Sequence, residues 1–281
     1  MINPVFKKEI LSKGRSWKNT AMITLYSTVI VFCAIVAFKI IEQETFYGYG
    51  FSPSTFQGLY ITVSVIQIFL IGLLVPASTA SSINGEKQRR TFDILICTKL
   101  KPLKIIQGKL LATIFQTVIL LTLALPVFSC LFLFGGVEVL DLVKLMVFFV
   151  MTAVLVGSIG IYCSASFKKS SVAIVISYLI IFALTFGMII LFLIMTEVFD
   201  IEIANSIFYV LFHFNPGTGL SAILSPQMGK SFIFLSMIDL KVEMLDANII
   251  LALNLLAEAV LSLGFILAAA RKIDPLNGKR K

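Results

Sequence analysis

With 281 residues, 58% of them apolar and only 14% charged, and a mean hydropathy of +1.00, the chain lies far from soluble globular domains, which run about 45–50% apolar and about 25% charged. It reads as an all-α integral membrane protein, and at roughly 20 residues per crossing six spans leave no continuous stretch for a folded soluble enzyme domain. One histidine (His213) and four scattered cysteines offer no CxxC or HExxH spacing, which argues against a protein-built zinc or iron–sulfur centre.

Six apolar runs are long enough to cross a bilayer: Ala21 to Phe38, Phe56 to Ala77, Leu110 to Phe134, Leu142 to Ser166, Val172 to Thr196 and Ala247 to Ala270. None alternates as a barrel strand would, and backbone inside lipid must bond internally, so each is predicted to be a helix. The first run is too long for a signal-peptide core and lacks a small-x-small cleavage pattern after Phe38, so it reads as a retained helix.

The basic residues set the orientation. The N-terminal tail, the segment after span two, the turn at Lys168-Lys169 and the C-terminal tail hold 19 of the 23 lysines and arginines. The opposite side holds Lys39, Lys144, Lys230 and Lys241 against ten carboxylates. The positive-inside rule then puts both termini in the cytoplasm. Topology and anionic lipid account for the net charge of +8, and no nucleic-acid partner is required.

Taken in chain order, Asn3 to Lys18 reads as a short amphipathic helix, with Asn3 as cap, Pro4 in the first turn, and Phe6, Ile10 and Trp17 recurring among five basic residues. A basic topology signal without fixed structure is the alternative. The stretch Pro76 to Leu111 is longer than joining two helices requires. After an expected break at Asn84-Gly85, Glu86 to Cys97 is predicted to form a helix with charged and apolar faces. A second helix is predicted to start at Pro102 and run into span three. Between spans five and six, Glu197 to Asp246 carries mixed apolar runs and an Asn215-Pro216-Gly217 turn, which suits short interfacial or re-entrant helices, with His213 in ordinary packing.

Span six places Asn254, Glu258 and Ser262 on one helical stripe. A carboxyl group in the membrane faces protein or water, and two readings of Glu258 stay open: a substrate or proton contact in a central cavity, or a structural hydrogen bond to a neighbouring helix. In span two, Ser64 and Gln67 precede Pro76 and a run of small residues suited to close helix contact. Met188 and Met195 in span five read as apolar filler.

These features together resemble the permease subunit of ABC-2-type transporters. The similarity is densest in Gly85-Glu86-Lys87-Gln88-Arg89-Arg90-Thr91-Phe92-Asp93-Ile94-Leu95 and Leu100-Lys101-Pro102-Leu103-Lys104-Ile105-Ile106-Gln107-Gly108-Lys109, which match the family's loose pattern of Glu, basic residue, Thr, Leu-Leu, Pro-Leu and Gly-Lys. The opening Asn3-Pro4-Val5-Phe6-Lys7-Lys8-Glu9 is similar too. Two departures are Arg90, where the family has a small residue before the threonine, and Cys97-Thr98-Lys99, where a Thr-Pro-like turn is commoner.

The resemblance implies one transmembrane domain over residues 1–281. Its parts are an elbow helix (1–19), a cytoplasmic coupling segment (84–109), an extracytoplasmic segment (197–246) and a cytoplasmic tail (271–281). It implies a coupling helix docking on a separate ABC ATPase, with Glu86, Arg89, Arg90, Thr91, Phe92 and Leu95 forming or flanking the contact. Spans two and five would line a path between two permease halves, making Ser64, Gln67, Ser177 and Thr185, with Glu258, pathway candidates. The assembly would hold two ATPase subunits, which carry the ATP and Mg, and a second permease half as homodimer or heterodimer. This chain would have no cofactor and no catalytic residue. The implied function is export across the plasma membrane; the alternative is a non-transporting scaffold or immunity protein of an ABC-like complex. Gly229-Lys230-Ser231 lacks the earlier glycine of a phosphate loop, since Leu224 stands there.

Overall fold

The computed structural model describes residues 3–46, 53–90, 92, 101–135, 138–198, 211–228 and 246–274. Ten α-helices are described among them: α1 (Pro4–Gly14), α2 (Trp17–Phe46), α3 (Pro53–Thr79), α4 (Ser82–Gln88), α5 (Pro102–Gly135), α6 (Val139–Ser166), α7 (Ser170–Phe182), α8 (Met188–Val198), α9 (Pro216–Met228) and α10 (Ala247–Ile273). A π-helical turn, Ala183–Gly187, joins α7 to α8. Six segments are long and apolar enough to span a membrane. They correspond to the six predicted runs, with α7, the π turn and α8 forming the fifth.

Helix α6 is the centre of the bundle. It packs against α3, α5, α7 and α10, and its second half is buried almost continuously from Leu155 to Ile161. Close packing of α6 on its neighbours depends on two glycines. A Cβ on Gly157 would press on Leu110 of α5, and one on Gly160 would run into Thr79 of α3 and the backbone of Ala80. Small residues at a crossing let two backbones approach where no hydrophobic effect between helices drives them together. Tyr60, Phe128, Phe148 and Phe149 fill the opposite half of the core, with Tyr60 and Phe128 edge to face at 5.9 Å. The flanking helices α2 and α7 carry exposed large side chains such as Phe32, Phe38, Leu179 and Phe182. Apolar exposure of this kind suits lipid contact and would be an aggregation hazard in water.

Three expectations change. The amphipathic N-terminal segment divides: Asn3 accepts the Val5 amide and caps α1 as expected, but α1 ends at Gly14, and Trp17 opens α2 and is exposed. Asn84-Gly85 is no break, because α4 runs through it. The reason is a cap supplied from elsewhere in the chain: Ser164 Oγ on α6 accepts the amides of Ile83 (3.0 Å) and Asn84 (3.2 Å), two of the donors that a helix start leaves open. The chain turns instead at Arg90, which holds a left-handed φ of 57°. Leu95 and the rest of 93–100 lie outside the described residues, as does Thr91.

The third change concerns Asn215-Pro216-Gly217, expected as a turn between short helices, of which Pro216 and Gly217 are the first residues of α9 itself. The Asn215 side chain accepts the Gly217 amide at 2.8 Å, the geometry of a capping asparagine followed by proline at the first helical position. Helix α9 is inserted into the bundle, with Leu220, Ile223 and Leu224 buried in the same cluster as Tyr60 and Phe148.

Candidate functional site

Five helices meet in a charged node at the end of the bundle that holds both described termini. Lys109, on the first turns of α5, is buried and donates to Glu9 of α1 at 2.6 Å, to the Ser82 carbonyl at 3.2 Å, and pairs with Glu86 of α4 at 3.2 Å. Glu86 also receives Lys8 at 3.2 Å. One turn along α1 from Glu9, Lys13 donates to Ser78 of α3 and to Thr113 and Gln116 of α5. Gln116 in turn donates to Asn19 of α2. A buried cation with two carboxylates is stable only while all partners are present, since removing one leaves an uncompensated buried charge. Burial brings Lys13 down to about 8, with Glu9 raising it and Lys109 lowering it in smaller measure.

An apolar cluster underlies this node. Phe92 is buried with Ile83 of α4, Ile106 and Leu110 of α5, Ile161 of α6, and Ile266, Ala269 and Ile273 of α10. Lys87 lies over the Phe92 ring at 5.3 Å and donates to the Ala165 carbonyl at the end of α6, where a cation complements the exposed carbonyls of a helix C-terminus. Of the described coupling candidates, then, Glu86 and Phe92 turn inward and hold the segment to the bundle, while Arg89 and Arg90 face outward.

The pathway candidates do not converge. Ser64 and Ser177 are fully buried and donate to carbonyls of their own helices. Gln67 is buried and accepts the Tyr26 hydroxyl at 2.8 Å, tying α2 to α3. Thr185 alone among the five lines a cavity of about 490 Å³ between α3, α6, the α7–α8 span and α9. Glu258 stands behind that wall: it is buried and accepts the hydroxyl of Thr152, which does line the cavity, at 3.3 and 3.4 Å from its two oxygens.

A second, uncharged node closes the opposite end. Asn254 of α10 donates to the carbonyls of His213 (2.8 Å) and Asn215 (2.9 Å), and Thr218 of α9 donates to the carbonyls of Phe212 and Asn215. Gly219 leaves room for Asn254, whose Oδ1 occupies the space a Cβ would need. The Asn215 amide reaches the carbonyl of Thr185 in the π turn at 2.8 Å. The widened turn of span five is thereby tied to the inserted helix.

Compared with known families, residues 3–271 match the model described as ABC-2 family transporter protein. The chain belongs to that family. It is therefore a membrane component of a transport system, in a family whose transmembrane subunits are not themselves catalytic and associate with ABC ATPase subunits in general. No curated protein matches the chain closely enough to narrow this further.

In this ABC-2 family chain the Gly108-Lys109 pair that carried much of the resemblance has a physical account. A Cβ on Gly108 would meet the Val5 side chain at 2.8 Å, so glycine lets α1 lie directly on α5, and Asn3 donates to the Lys104 carbonyl across the same contact. Lys109 then reaches Glu9 and Glu86 from beneath. Sequence reading missed Glu9 and Lys13 as partners. The available signal was Lys109 itself, a lone cation among Ile105, Ile106, Leu110 and Leu111 on a helix start, which needs a buried counter-charge. No comparable signal marked Thr152 or Asn215, whose roles depend on α10 and the π turn.

Proposed function

We propose that this chain is one transmembrane half of an ATP-driven exporter of the plasma membrane, with both termini in the cytoplasm. It pairs with a second permease half, and two ABC ATPase subunits that carry the ATP and Mg dock on the segment 84–109. The observation that carries the reading is the charged node. Lys109 ties α4 to α1 and to the start of span three, so force applied to the outward Arg89 and Arg90 is passed from α4 to α1 and to one membrane span through ion pairs. Rigid elements with two packed arrangements are what convert a local push into a rearrangement of spans.

In this reading Arg89 and Arg90 make the direct contact, with Thr91 and Leu95 beside them, and rim charges of this kind steer docking. Glu86 and Phe92 act by holding the segment in place. Thr185 and the Thr152–Glu258 pair belong to the pathway wall, whereas Ser64, Gln67 and Ser177 act in helix packing. The outer part, 197–246, closes the far end through α9, and 271–281 is a basic tail.

The test is purification in mild detergent from the native membrane, identification of what co-purifies, and an ATP hydrolysis assay. A soluble ATPase is expected with the chain, with vanadate-sensitive hydrolysis and its recovery lowered about tenfold by R89E/R90E, about 1.4 kcal/mol of binding. A chain that comes alone under conditions preserving other complexes overturns the reading. Hydrolysis without flux of any cargo would instead favour a scaffold.

A further inference from the structure

We infer that the cavity between α3, α6, the α7–α8 span and α9 binds a lipophilic amine, an apolar body with one cationic hydrogen-bond donor directed at Thr152 and the Glu258 carboxyl group behind it. The cavity, of about 490 Å³, falls within the size range of small-molecule sites, about 300–1,000 Å³. Its walls are almost entirely aliphatic and aromatic, and no lysine, arginine, histidine or acid lines it among the described residues. Phe69, Phe182 and Phe186 stand at its rim and are exposed on the flank of the bundle, so a molecule dissolved in the bilayer enters sideways.

The polarity of the wall selects the ligand. Three hydroxyls and the Asn215 amide reach it; the hydroxyls each donate their single proton into the protein, Tyr178 to the Leu73 carbonyl, Thr185 to the Ile181 carbonyl and Thr152 to Glu258, and Asn215 donates to the Thr185 carbonyl while its oxygen accepts the Gly217 amide. What they leave facing the cavity are oxygen lone pairs. The wall therefore offers acceptors to a ligand and repels a carboxylate or phosphate. Glu258 adds the decisive feature. It is 1% exposed, its hydrogen bonds to Thr152 are long, and among the described residues no basic side chain pairs with it. A buried carboxyl group is stabilised as the anion only by a counter-charge, and an ammonium group lodged against Thr152 supplies one. A neutral alcohol satisfies the acceptors but brings no counter-charge for the carboxyl group.

As a candidate cargo site this rests on the permease reading, but binding itself requires neither ATP nor a partner. The full-length chain in nanodiscs is therefore photolabelled with three diazirine probes of equal length, a dodecylamine, a dodecanol and a dodecanoate, and the labelled peptides are mapped. The amine is expected to label Val65 to Leu73 and Phe182 to Ile189, to be displaced by unlabelled dodecylamine, and to exceed the dodecanoate about tenfold, a 1.4 kcal/mol preference. E258Q is expected to erase the preference of amine over alcohol while alcohol labelling persists. G72F fills the cavity where a Cβ meets nothing, and is expected to abolish labelling by all three. If E258Q fails to fold, T152V, which removes the cavity acceptor and its hydrogen bond to Glu258 while keeping the side chain's volume, is expected to reduce amine labelling. Equal labelling by amine and carboxylate, labelling indifferent to both E258Q and T152V, or no displaceable labelling overturns the inference. Each of those results leaves the ATPase co-purification test untouched.

Discussion

The two ends of this bundle are closed by clasps of opposite chemistry. At the basic end Lys109, Glu9, Glu86 and Lys8 hold α1, α4 and α5 together by ion pairs. At the other end Asn254, Asn215 and Thr218 hold α9, α10 and the π turn together through neutral donors and backbone carbonyls. Charge–charge contacts act over distance and respond to pH, salt and docked charges, whereas amide-to-carbonyl bonds are short-ranged and indifferent to all three. The difference separates an end whose contacts an added charge can alter from an end that keeps a backbone irregularity in place.

Breaking the clasps singly tests that contrast. The largest effect is expected from K109M, which strands Glu9, leaves Glu86 without its buried cation and destabilises the detergent-solubilised protein by about 3–5 kcal/mol. Survival after heating, followed by size-exclusion chromatography, measures it. E9Q/E86Q/K109M is expected to recover most of the loss. Failure of the triple variant to recover would mean that Lys109 acts through packing and not through charge. N254L is expected to cost less, about 1–3 kcal/mol, by removing the amide that donates to the His213 carbonyl and shares the Asn215 carbonyl with Thr218. That loss is expected to be the same in low and high salt, and a salt-dependent loss would erase the distinction between the two ends.

A smaller effect, of opposite sign, is expected at the turn. R90G relieves a left-handed residue that costs about 1–2 kcal/mol and loses about 0.5–1 kcal/mol to glycine's chain entropy, a net gain near 0.5–1 kcal/mol. A stabilised chain that recovers less ATPase would separate docking from folding at one position. The last effect appears only as a dependence on pH, at Lys13. Its proton leaves the folded protein at about 8 but stays on the unfolded chain up to the ordinary 10.5. The unfolded state then binds more protons between those values, and stability rises with pH across that window. The wild-type chain is expected to gain thermal stability over K13Q from pH 8 to pH 10.5, and a constant difference between the two would remove Lys13 from the buried set.

The number of spans, the helical class, the family and the grouping of basic segments were all legible in the amino-acid order alone. These depend on composition and on periods shorter than one helix, and a membrane enforces them because backbone in lipid has no other way to bond. The cap at Asn3 and the helix start at Pro102 were legible for the same reason, being local. Only the tertiary structure decided where α4 begins, because Ser164 caps it from about 80 residues away. It alone turned Asn215 from a loop residue into a bond to the π turn, turned Phe92 inward, and set Glu258 behind Thr152. Each of these joins residues on different helices, and a buried polar group is satisfied by whichever neighbour the packing brings within about 3 Å, which no local pattern encodes.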